Sequence, residues 1–125
     1  MVSQGRKFLV VDDEESLREL FAILLNRSFP GCFVKTAGNG KEALALVSSG
    51  FSPDLIVCDI RMPVMNGMEF FYERKEAGFN GKWLFITGSH FEEEKAFLGK
   101  NELDFLVKPF NFKNLKLVVE KLLPD

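Results

Sequence analysis

Five residues of types that handle phosphoryl groups or hard cations sit at the ends of apolar runs in this chain. Asp12 and Asp13 follow Phe8 to Val11, Asp59 follows Leu55 to Cys58, Thr87 closes the run from Trp83, and Lys108 follows Phe105 to Val107. Short apolar runs that stop abruptly at polar residues read as strands buried on both faces of a parallel sheet. Ligands of such a sheet bind beyond the carboxyl ends of its strands, so this spacing brings three carboxylates, a hydroxyl and an ammonium to one edge. Carboxylates that close repel one another unless a cation or a pKa shift relieves them. Mg²⁺ suits an all-oxygen site and leaves room for a substrate phosphate, with Mn²⁺ as the alternative ion. With such an ion in place an anionic phosphoryl donor can approach Asp59. Its carboxylate can then act as nucleophile, while Lys108 and Thr87 share the charge that spreads over the phosphoryl oxygens.

The elements that must position these groups are legible in order. Leu17, Leu20, Phe21, Leu24 and Leu25 form one stripe of a first helix, stopped at Pro30-Gly31. Cys32 to Ala37 reads as strand two. Asn39 with Glu42 opens a second helix carrying Ala43, Leu44 and Val47, and Gly50 ends it. Asn66 with Glu69 opens a third, carrying Met68, Phe71 and Tyr72. Three consecutive glutamates, Glu92 to Glu94, make Phe91 to Leu98 read as a short exposed fourth helix with a solvated acidic face. Asn111 caps a fifth, with Leu115, Val118, Val119 and Leu122 on one face. Five strands alternating with five helices imply a doubly wound parallel sheet with helices on both faces.

Length and composition narrow the class. At 125 residues the chain is the size of one domain, and we expect residues 1–125 to form a single unit with no output domain. With 46% hydrophobic and 27% charged residues it is an ordinary globular sequence rather than a disordered one. A net charge of -2 with both signs interspersed offers no field for holding nucleic acid or an anionic membrane. No apolar run approaches a membrane span and no signal-peptide h-region is visible, so a cytoplasmic address is expected. Cys32 and Cys58 lie in apolar runs, where thiols behave as small core residues, and a disulfide between them is not expected.

Taken together, these segments resemble the receiver domains of two-component response regulators, including the chemotaxis regulator. The resemblance rests on Asp12-Asp13, on Asn39-Gly40-Lys41-Glu42-Ala43-Leu44 and on the run from Pro53 through Asp59-Ile60-Arg61-Met62-Pro63 to Asn66-Gly67. It continues through Thr87-Gly88 and Phe105-Leu106-Val107-Lys108-Pro109-Phe110. It implies a flavodoxin-like sheet in the order 2-1-3-4-5. Carried over by position, it makes Asp59 the phospho-acceptor, and Asp13, Asp59 and the Arg61 backbone carbonyl direct Mg²⁺ ligands. Asp12 would hold a metal-bound water. Thr87 would hydrogen-bond the phosphoryl group, Lys108 would pair with it, Lys108-Pro109 would be a cis peptide, and Phe105 would be the aromatic switch. The implied partners are a histidine kinase or phosphotransfer protein, and a target or output domain read by the face of the fourth helix, fifth strand and fifth helix. A homodimer is also among them. The implied role is binding regulation, with self-phosphorylation and slow hydrolysis as the only chemistry.

Rival readings use the same residues. A Mg²⁺-dependent phosphatase with an aspartyl nucleophile usually needs an acid two residues beyond it, where this chain has Arg61. Gly38-Asn39-Gly40 with Ala43 fits the G-x-G-x-x-A dinucleotide pattern but follows strand two, whereas strand one ends in two acids that repel a pyrophosphate. His90 stands alone and reads as a surface side chain. The same family resemblance implies that Arg61 and Ser89, two residues beyond the acceptor and the threonine, flank the approach of water, so they are expected to influence phosphate lifetime. Phe91, Phe97 and Phe112 are candidates for the rim of a partner-binding patch.

Overall fold

In a computed structural model describing residues 5–124, the apolar runs become five parallel strands. These are β1 (Lys7–Val11), β2 (Phe33–Ala37), β3 (Leu55–Asp59), β4 (Lys82–Thr87) and β5 (Asp104–Val107). They alternate with α1 (Glu15–Ser28), α2 (Gly40–Ser48), α3 (Gly67–Glu76), α4 (Phe91–Lys100) and α5 (Phe112–Leu122). The strand order is β2-β1-β3-β4-β5, the expected doubly wound arrangement. Residues 1–4 and 125 lie outside the described residues.

Successive residues of a strand point to opposite faces, and here each face has its own core. Leu9, Val11, Ile56, Cys58, Trp83 and Phe85 pack with Ala43, Val47, Phe70, Phe71, Phe97 and Leu98 of α2, α3 and α4. Phe8, Val10, Leu55, Val57, Leu84 and Ile86 pack with Phe21, Leu25, Leu115 and Val119 of α1 and α5. The central strands are therefore apolar along their length, while edge strand β2 is exposed at Phe33, Lys35 and Thr36.

Local signals set the helix starts. The Asn66 side chain accepts from the Glu69 N–H at 2.9 Å and Glu69 Oε1 accepts from the Asn66 N–H at 3.0 Å, a complete capping box. Asn39 and Asn111 cap α2 and α5 through Glu42 and Asn114, each bond 2.9 Å. Register then aligns the strand ends: Val11 lies beside Cys58, Asp59 beside Ile86, and Thr87 beside Val107.

Helix α4 departs from expectation. It is ten residues long and packed, with Phe97 at 8%, Leu98 at 1% and Glu94 at 1% exposure. Glu94, Phe97 and Leu98 stand at i, i+3 and i+4, on one helical face, so docking the two apolar residues carries the third glutamate inward. Of the three glutamates, Glu92 and Glu93 alone are solvated. Phe97 is likewise core rather than rim, its ring 5.5 Å from those of Phe71 and Phe85. Phe91 and Phe112 are half-buried.

Candidate functional site

Asp12 emerges from β1 already buried, at 1% exposure. Its Oδ1 accepts the Glu14 N–H at 2.9 Å and so anchors the turn into α1. Its Oδ2 is buried without a hydrogen-bond partner among the described residues. Asp13 faces solvent. Asp59, the last residue of β3, is 9% exposed, and the three aspartates each offer a carboxylate oxygen within 4.8 Å of the others. Three hard oxygen donors, on residues of which Asp12 also carries an orphaned buried carboxylate oxygen, fit a small divalent cation such as Mg²⁺. Asp59 and Asp12 feel the crowding. Burial first, then the Asp12 charge, push the Asp59 carboxyl from its ordinary 3.8 to about 7 against the opposing pull of Lys108. Burial likewise raises Asp12.

Lys108 Nζ stands 4.0 Å from Asp59 Oδ2. The Lys108 N–H donates to the Thr87 carbonyl at 2.7 Å, which ties the lysine to the end of β4, and the Lys108-Pro109 bond is cis. Thr87 is 1% exposed. A cleft of about 180 Å³ is lined by Asp59, Arg61, Thr87, Gly88, Ser89, His90, Glu94 and Lys108. A larger hollow of about 350 Å³ lies at Thr36, Glu42, Ala45 and Leu46, and its lining includes none of the strand-end acids. The smaller cleft is the one that brings a strand-end acid, Asp59, together with Thr87 and Lys108.

The structure thus gathers Asp12, Asp13, Asp59, Thr87, Lys108 and Arg61 at one edge. Phe105 does not line the cleft. Its ring is 38% exposed on β5 and lies against Phe91, with centroids 5.3 Å apart. His90 is a half-exposed side chain whose Nδ1 is 3.6 Å from Glu93 Oε2.

The structure also adds a residue that sequence reasoning passed over. Glu94 Oε1 accepts the Thr87 hydroxyl and Oε2 accepts Arg61 Nε at 2.8 Å. Arg61 Nη2 reaches Glu93 at 2.6 Å, and the hydrogen bond to Glu94 is the main reason the guanidinium is raised above its ordinary value. The available signal was the position of Glu94 on the Phe97/Leu98 face, hidden inside a run of three acids.

The glycine turn after β2 is fully used by the fold. The Gly38 N–H donates to Glu42 Oε1 at 2.9 Å and the Gly40 N–H to the Met65 carbonyl at 2.9 Å. Neither is available to cradle a pyrophosphate. Cys32 and Cys58 are both free.

Residues 8–120 match the family described as the response regulator receiver domain. The chain belongs to that family. It is 36% identical over 115 residues to a two-component response regulator 24 of Arabidopsis thaliana, covering 91% of this chain and 81% of that protein. It is 35% identical over 122 residues to the alkaline phosphatase synthesis transcriptional regulatory protein PhoP of Bacillus subtilis, covering 95% of this chain but only 49% of PhoP. The response regulator TrrA of Thermotoga maritima, solved in complex with Mg²⁺ and beryllofluoride, superposes with a TM-score of 0.80 at 36% identity. The overlap covers 94% of this chain and 99% of that one. This receiver domain therefore has a regulatory place in two-component signalling and a flavodoxin-like fold. Among the described residues no helix is long and apolar enough to cross a membrane.

Proposed function

We propose that this receiver is phosphorylated on Asp59 in a Mg²⁺-dependent reaction, with a histidine kinase or phosphotransfer protein as donor. The observation that carries the reading is the convergence of three aspartates within 4.8 Å of one another beside Lys108 and Thr87. Asp13, Asp59 and the Arg61 carbonyl would hold the ion and Asp12 a water on it. When bound, the ion supplies positive charge that favours ionised Asp59 and draws in the donor's phosphoryl oxygens.

The chain's own groups do the rest. An Asp59 carboxylate oxygen forms the new bond to phosphorus as the bond from phosphorus to the donor breaks, and the leaving group departs with that electron pair. Lys108, already held beside Asp59, pairs with the transferred group, and Thr87 turns its hydroxyl toward it. Movement of Thr87 would open space for Phe105, shifting a population toward a repacked α4-β5-α5 face that a target, an output domain or a second copy reads. Phe105 lacks the hydroxyl often found at this position, so neither of its rotamers is held by a hydrogen bond. We further propose that residues 1–125 act as one cytoplasmic unit and that slow hydrolysis of the aspartyl phosphate is its only turnover.

Incubation with acetyl phosphate and Mg²⁺ tests the reading by mass spectrometry. The expected result is one added phosphoryl group, absent when EDTA is present and absent in Asp59→Asn. A gain that survives Asp59→Asn would move the acceptor elsewhere.

A further inference from the structure

A threonine hydroxyl has one proton to give. At Thr87 that proton is already given to Glu94, a carboxylate 1% exposed on the inner face of α4. The other oxygen of Glu94 is held by Arg61, whose second nitrogen binds Glu93. All three groups, Thr87, Glu94 and Arg61, line the same cleft as Asp59 and Lys108. Glu94 therefore offers the resting site what a phosphoryl group would offer the phosphorylated one: anionic oxygens that accept from the β4 hydroxyl and pair with a cation.

We infer that Glu94 is a resident competitor of the phosphoryl group, holding the Thr87 hydroxyl and Arg61 until phosphorylation displaces it. The inference rests on the reading of Asp59 as acceptor and of Thr87 as hydrogen-bond donor to the phosphoryl group. A phosphoryl group carries nearly two negative charges at neutral pH. In the cleft it would accept the Thr87 hydrogen bond in place of Glu94 and at the same time repel the Glu94 carboxylate. Glu94 belongs to the first turns of α4, so its release unfastens that helix from β4. The same event loosens the guanidinium that links the loop after β3 to Glu93 and Glu94. Phosphorylation is thereby coupled to α4 through a specific acid as well as through the space that Thr87 vacates.

Glu94 acts through Thr87 and is a positioning residue, so the test must separate competition from simple structural support. The probe is beryllofluoride with Mg²⁺, its affinity for the full chain measured by calorimetry. Glu94→Gln keeps the shape but replaces a charge-assisted hydrogen bond with a neutral one. It should tighten binding about fivefold, and Glu94→Ala about tenfold. Damage to the fold would weaken binding instead. In a Thr87→Ala background the gain from Glu94→Gln should be clearly smaller, because only the removed charge remains to contribute. In the metal-free protein the Thr87 methyl resonance of Glu94→Ala should move toward its position in the beryllofluoride-bound wild type.

Unchanged or weaker binding in both Glu94 variants while the wild type binds normally would overturn the inference and leave the Asp59 reading intact. An equal gain with and without the Thr87 hydroxyl would overturn it too. A wild type that binds no beryllofluoride and accepts no phosphoryl group would bring down the Asp59 reading first, and this inference with it.

Discussion

Asp59 sits where its charge is unwelcome, and replacing it with asparagine should make the apo domain more stable. Its carboxyl rises from 3.8 to about 7 on folding, chiefly through burial and the Asp12 charge. The native state thus holds the proton more tightly than the unfolded chain, and ionising Asp59 costs native stability. That penalty is absent below about pH 4, grows as pH rises and is complete above about pH 7. At 1.36 kcal/mol per tenfold change in proton affinity, its ceiling is roughly 4 kcal/mol. Asparagine removes the charge but keeps a buried polar group and loses the attraction of Lys108 at 4.0 Å. A net gain of about 2–3 kcal/mol at pH 8 is expected, or roughly 10 °C in Tm for a chain of this size. Denaturant titrations of both proteins without metal, at pH 5 and pH 8, read the difference directly. The gap should widen toward pH 8, and millimolar Mg²⁺ should narrow it by stabilising the wild type more than the variant. An Asp59→Asn variant no more stable than wild type at pH 8, or a gap independent of pH, would refute the electrostatic account of the site.

Three further outcomes follow from the same structure. A Cβ at Gly67 would lie 2.5 Å from the Asp59 carbonyl oxygen, 3.0 Å from Ile60 Cα and 3.2 Å from Phe85 Cε1. Gly67→Ala should therefore cost about 2–3 kcal/mol in denaturant titrations and slow acetyl phosphate labelling by displacing the end of β3. Arg61 and Ser89 both line the cleft, and Arg61→Ala and Ser89→Ala should each change the half-life of the aspartyl phosphate severalfold. Half-lives equal to wild type in both would contradict that. Cys58 is fully buried, and burial pushes its thiol well above the ordinary value, whereas Cys32 is partly exposed. A thiol reagent should modify only Cys32 in the native state and reach Cys58 on unfolding, so modification of both at one rate would show that the β3 core opens readily.

Much of the molecule could be read locally. The apolar runs ending in Asp12, Asp59 and Thr87 announced central strands, because a strand covered on both faces has no polar positions to spend until it leaves the sheet. Asn39, Asn66 and Asn111 announced helix starts, because a cap bonds to backbone only three residues away. Asp12, Asp13, Asp59, Thr87 and Lys108 were placed together from their positions after the strands, since parallel strands in register share one carboxyl edge, and the family resemblance added Arg61.

Tertiary packing decided what no single segment carries. Glu92, Glu93 and Glu94 are the same residue type in a row, and only docking of Phe97 and Leu98 onto the sheet turns the third inward to Thr87 and Arg61. The proton affinity of Asp59 belongs in the same class, because it is set by burial and by an acid 47 residues earlier in the chain. Periodicity and capping are short-range properties written along the chain, whereas desolvation and charge pairing depend on which distant groups the folded core brings within a few ångströms.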